Sequence, residues 1–137
     1  MFTCFHRFRK TEKGQALVEM ALVLPILILI VFGITEFGRI LNAKIIVTNA
    51  SREGARYAAV NGTAVTDTQI ANTVKNAAPS LDPVKMTVNV NPGPSSRTRG
   101  AAVAVAVYYP VEIVAPVISA FTGNPYIVNA QTTMRVE

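Results

Sequence analysis

The stretch KGQALVEMALVLPILILIVFGITEFGR, Lys13 to Arg39, is apolar almost throughout, and its reading decides the architecture. From Gln15 to Thr35 the only polar side chains are Gln15, Glu19 and Thr35. At a rise of about 1.5 Å per residue, a helix of this length crosses a hydrocarbon core of about 30 Å. One transmembrane helix is therefore expected over 15–35. A cleaved secretory signal also joins a basic start to an apolar run. This run is long, holds an acid and has no A-x-A-like site at its far end, so the helix is expected to stay with the protein. Pro25 removes one intrahelical hydrogen bond. It is either an ordinary kink or a flexible point that eases extraction from the bilayer.

Outward from this run, the composition leaves room for little else. Of 137 residues half are hydrophobic, which allows one small domain beside the span. The formal charge is +5, but Arg7, Arg9, Lys10 and Lys13 crowd ahead of the apolar run. Basic flanks resist translocation and mark the cytoplasmic side. The other basic residues are scattered without interleaved aromatics, which argues against nucleic acid as a partner. Cys4 and His6, the single cysteine and histidine, sit in the same tail. No intrachain disulfide can form, and Cys4 precedes the apolar run, whereas lipoprotein attachment needs a cysteine after it. There is no glycine-rich phosphate loop, and Glu53, Asp67, Asp82 and Glu112 stand isolated. Neither catalysis, nor a metal, nor a cofactor is expected from such a set.

Glu19 is the residue that asks for an explanation. A charge in a membrane helix costs a few kcal/mol near the centre and less near an interface. Taken alone, Glu19 either reaches headgroup water or has a partner. Gly14 precedes Gln15, Glu19 is the fifth residue after that glycine, and a basic leader lies upstream. This resembles a type IV prepilin cleavage site, where an inner-membrane aspartyl peptidase cuts after the glycine. The resemblance implies removal of residues 1–14 and a new ammonium on Gln15, about one helical turn from Glu19. The two charges then neutralise one another within a chain or between neighbours. Glycine lets an extended backbone approach a catalytic pair closely. Gln15 departs from the phenylalanine common at that place in the main pilin family.

A wider match narrows the family. The segments GQALVEMALVLPILILIVFGITEFGRI, NASREGARYAAV and the terminal AQTTMRVE together look like a TadE-like minor pilin, or pseudopilin, of the tight-adherence (Flp) type IV pilus system. The likeness is dense over Gly14–Val60, looser at the end and general between Asn61 and Asn124. It implies a structural component of a pilus or secretion apparatus, with Gly14, Gln15 and Glu19 as the processing site. Glu19, Pro25, Glu36 and Arg39 are the residues expected in assembly. The implied partners are prepilin peptidase, the major Flp pilin, other pseudopilins, the inner-membrane assembly platform and membrane lipid. The implied location is a single pass through the inner membrane, amino terminus cytoplasmic, with 36–137 as an extracytoplasmic domain, in the membrane or in a pilus. An uncleaved bitopic anchor that presents a small binding domain is the alternative.

The helical pattern continues past the span. Glu36 and Arg39 can pair at the outer interface, and Ile40, Val47, Ala50, Gly54 and Ala58 recur at roughly helical spacing. One helix is expected from about Gln15 to Val60. Ala50, Gly54 and Ala58 permit close approach of another backbone, either a partner helix or this chain's own sheet. Arg52, Glu53 and Arg56 read as a solvated face. Asn61-Gly62 signals a turn, and Thr66 with Gln69 forms a capping box for a short helix with Ile70 and Val74 inside, ended by Pro79.

Three strand patterns follow. Val84, Met86, Val88 and Val90 alternate with polar residues. Ala101–Tyr109 is apolar on both faces and reads as the central strand, its alanine face offered to the long helix. Ile127–Val136 turns Val128, Ala130, Thr132, Met134 and Val136 to one side. The loop Asn91–Gly100 is expected to expose Arg97 and Arg99 at its tip. Val111–Phe121 is apolar but too short to cross a membrane; it is a buried connection or an exposed patch. The fold class expected is α+β, with a three-stranded antiparallel sheet leaning on the long helix. So small a domain without a disulfide should need the outer half of that helix in its core.

Overall fold

The structure, a computed structural model, describes residues 12–137. The expectations for Cys4, His6, Arg7, Arg9 and Lys10 fall outside the described residues. The fold is α+β. Helix α1 runs unbroken from Glu12–Asn61, 50 residues with Pro25 inside, about 75 Å at about 1.5 Å per residue. It is followed by α2 (Asp67–Asn76), β1 (Thr87–Asn91), β2 (Ala102–Val111), α3 (Pro116–Thr122) and β3 (Tyr126–Arg135). The strands form one antiparallel sheet in the order β1-β2-β3.

The two halves of α1 meet different surroundings. Its first half is long and apolar enough to cross a membrane, and the span is uncovered by the rest of the chain. Leu17, Leu22, Ile26 and Ile34 all lie exposed. Burial begins at Glu36 and continues through Ala43, Val47, Ala50, Ala55, Ala58 and Ala59. Those residues join Ile70 and Val74 of α2 and Val103, Val105 and Val107 of β2 in one core. The small residues of α1 therefore meet this chain's own sheet and second helix. A Cβ at Gly54 would overlap Val74 Cγ2 and come within 3.3 Å of Val105 Cγ1, so only glycine lets α2 and β2 close on α1 here.

Local signals explain the remaining elements. The α2 capping box forms, with Gln69 N–H donating to Thr66 Oγ1 at 3.3 Å and Thr66 N–H to Gln69 Oε1 at 2.9 Å. In the sheet, Val107 stands between Val88 and Ala130, and Val105 between Val90 and Thr132. The side expected for Ile127–Val136 turns inward, with Val128 and Val136 buried.

Several expectations need correction. The valine face of β2, not its alanine face, receives α1: Val103, Val105 and Val107 are fully buried, whereas Ala102 is exposed and Ala104 and Ala106 are half-buried. The larger side chains fill the space that Ala50 and Gly54 leave. The first strand starts later than its alternation suggests. Val84, 88% exposed, sits in a turn where its N–H bonds Asp82 Oδ1 at 2.9 Å; this local side-chain bond competes with the strand ladder.

Arg97 is not an exposed loop tip but is 1% exposed. Its Nε donates to Pro92 O at 2.9 Å and one terminal nitrogen to Val65 O at 3.2 Å, while the other pairs with Asp67. The planar guanidinium thus ties the β1–β2 loop to the start of α2. Arg99 stays exposed.

Candidate assembly and membrane interface

The residues expected at a processing site lie near the start of the described part of α1. Gly14, Gln15 and Glu19 are all exposed, and Gly14 and Gln15 fall in the first turn of the helix. Gly14 is therefore helical here, not extended. Glu19, one turn on, has no ion-pair partner among the described residues. Pro25 sits in α1 without interrupting it.

At the other end of the span the structure adds a junction that spacing alone did not reveal. Glu36 and Arg39 do pair, at 3.0 Å, but Glu36 is 4% exposed and its second oxygen is engaged elsewhere. Glu36 Oε1 accepts the N–H of Val114 at 2.8 Å and that of Ala115 at 3.2 Å. One carboxylate thus ties the exit of the membrane segment to the connection between β2 and α3. Hydrogen bonds to an ionised acceptor are among the strong ones, and here they satisfy backbone donors ahead of Pro116, which has no N–H to offer.

The connection closes on itself. Asn124 Oδ1 accepts the Ile113 N–H at 3.1 Å, and Asn124 Nδ2 donates to Ile113 O at 3.2 Å. Between these residues the chain makes a closed excursion that carries α3. Ile113 and Ala115 are buried while Val114 is 71% exposed. Of the two alternatives for Val111–Phe121, the base is a buried connection through Ile113 and Ala115, with Val114 and Pro116 exposed beside it. No sequence pattern announced the role of Asn124; the signals available were an amide next to Pro125 within an uncharged run and Pro116 at a helix start.

The excursion folds back along the span. Pro116 and Ile118 face Pro25, Ile28, Leu29 and Phe32 across an apolar groove of about 430 Å³. On the membrane-distal side of Glu36, a second cleft of about 290 Å³ holds Arg39, Asn42, Lys85 and Glu112. Lys85 and Glu112 pair there at 2.7 Å. The hydrogen bond and charge of Lys85 hold the Glu112 carboxyl below its ordinary value, and Glu112 in turn raises the Lys85 ammonium. Lys44 reaches from α1 to the backbone carbonyl of Asn129, and Ser51 Oγ meets Thr132 Oγ1 at 2.8 Å. The outer half of α1 is therefore stitched to β3, while Arg52, Glu53 and Arg56 remain on the exposed face.

Among the described residues no group of three His, Cys, Asp or Glu side chains could hold a metal ion. Searches of curated proteins and of solved structures gave no match. A family model does match. Residues 14–56, the whole membrane segment and its outer continuation as far as Arg56, match the TadE-like protein family, so the resemblance carried by GQALVEMALVLP and NASREGAR is found again where the sequence places it.

Proposed function

We propose that this chain is a TadE-like pseudopilin, a membrane-anchored structural component of a Tad (Flp) type IV pilus or its secretion apparatus. The observation that carries the reading is the contrast within α1. Its outer half is covered by the domain, while its TadE-like inner half, Leu17 to Ile34, keeps its large apolar side chains exposed, with only the Pro116–Ile118 edge of α3 near one side. Such a surface is satisfied by lipid before assembly and by other pilin helices after it.

In this reading residues 1–14 face the cytoplasm, prepilin peptidase cuts between Gly14 and Gln15, and the domain from Glu36 onward is on the extracytoplasmic side of the inner membrane. The new ammonium of Gln15 and the Glu19 carboxylate neutralise each other, which lowers the cost of burying either among neighbouring helices. The partners are the major Flp pilin, other pseudopilins and the assembly platform. The role is structural and involves no catalytic step.

The test is the intact mass and amino-terminal sequence of the protein purified from its native membrane. A chain that begins at Gln15 supports the reading, and substitution of Gly14 by a larger residue should then leave the leader in place. A chain that begins at Met1 would instead favour an uncleaved bitopic anchor. Glu19→Ala should leave cutting more intact but reduce the protein in the filament fraction; undiminished incorporation would remove the pairing account.

A further inference from the structure

We infer that the Ile113–Asn124 excursion is a second membrane-contacting element: α3 lies in the bilayer leaflet nearest the domain, and lipid acyl chains fill the groove between it and α1. The inference rests on 15–35 being the membrane span and is independent of any role in a pilus.

Depth is the first argument. Ile28 lies seven residues before Thr35, which places it roughly 10 Å below the outer edge of the span at about 1.5 Å per residue. Pro116 and Ile118 share a groove with Ile28, Leu29 and Phe32. The fold thus holds α3 at a level where α1 is already within hydrocarbon. The groove is continuous with the lipid-facing surface of α1, which makes acyl chains its nearest occupant.

Chemistry is the second argument. From Ile113 to Met134 the sequence has no charged residue. The polar side chains of the excursion, Ser119, Thr122 and Asn124, are all satisfied internally, which lowers the cost of placing them in hydrocarbon. Ser119 Oγ donates to Pro116 O at 2.9 Å and Thr122 Oγ1 to Ile118 O at 3.0 Å. Asn124 closes the neck, and Glu36 accepts the N–H groups of Val114 and Ala115 just where the chain turns down. The surroundings fit an interface: Tyr126 and Ile127 are exposed beside Phe37 and Leu41, and Arg39 stands just beyond the edge, where a cation meets headgroups.

The test uses the full chain with Cys4→Ser and a nitroxide label on Ala120→Cys, an exposed position of α3, in phosphatidylcholine–phosphatidylglycerol vesicles. Labels on Val31→Cys and Asn72→Cys give the lipid and water references. Collision with oxygen relative to a water-soluble nickel chelate should be several-fold higher at 120 than at 72 and close to the value at 31. A label on Val114→Cys, at the base of the excursion, should read a shallower depth and serves if the Ala120 variant folds poorly. Nickel access at 120 equal to that at 72 would overturn the inference by placing α3 in water. Shielding from both reagents would overturn it in favour of a second copy of the chain on this face. A lipid signature at 31 in either case keeps the span itself out of question.

Discussion

Glu36 joins two parts of the chain through two oxygens: its own helix by Arg39, and the backbone of Val114 and Ala115 beyond β2. Glu36→Ala leaves two backbone donors without their acceptor, that of Ala115 in a buried position. A cost of about 2–3 kcal/mol is expected from the loss of charge-assisted bonds to a buried group. A thermal melt in detergent micelles should show it, and Glu36→Gln, which keeps an acceptor, should lose less. Glycines offer a sharper contrast because the structure assigns them opposite signs. Gly54→Ala forces Val74 aside and should destabilise by about 1–3 kcal/mol, as overpacking does. Gly38→Ala meets no atom within 4 Å and should be neutral or gain up to about 1 kcal/mol from lower backbone entropy in the unfolded helix. Equal effects at the two positions would contradict the packing described.

Among elements, α1 was the most legible. Its apolar run, the spacing of Ala50, Gly54 and Ala58, and the Thr66–Gln69 box are local patterns, and a local pattern can be read from neighbours in the chain. The period-two alternation likewise gave three strands. What stayed hidden depends on distant partners. Glu36 meets Val114 across a separation of 78 residues, and Arg97 meets Val65 across 32, so nothing beside either charge marks it as buried. The choice between the two apolar faces of β2 was also a matter of what lies opposite, and the alanine face was the wrong one. The core explains what the domain needs. Among the described residues every buried side chain lies at Glu36 or beyond, so a fragment starting at Glu36 should unfold cooperatively in a thermal melt. The same fragment without Asn42–Val60 loses the α1 part of the core and should not; a sharp transition in that deletion would count against the helix as core.

At the scale of the whole fold, the Lys85–Glu112 pair is the one exposed contributor to pH-dependent stability identified among the described residues. Glu112 is lowered by Lys85, so its contribution is present above the ordinary carboxylate range and is lost as pH falls through the lowered value. Lys85 is raised by Glu112, so its contribution is present below the ordinary lysine range and is lost as pH rises through the raised value. Between these limits the pair contributes steadily, and because both groups are in solvent the contribution is small. Glu112→Gln should therefore leave the melting temperature near neutral pH almost unchanged and flatten its dependence at both extremes. A large loss at neutral pH would mean that the pair does more than bridge the surface.

The continuity of α1 governs how this molecule handles force and orientation. The same 50-residue rod is both anchor and core helix, and the Glu36 fastening sits at the boundary between the two roles. No linker intervenes to absorb a rotation, so twisting or drawing the anchor along its axis turns or lifts the head by the same amount. The azimuth of the head about the anchor is thus set when the chain folds. Neighbouring copies packed through their anchors would inherit a fixed angular relation between heads, with the pattern of the outer surface written by the helix contacts below it.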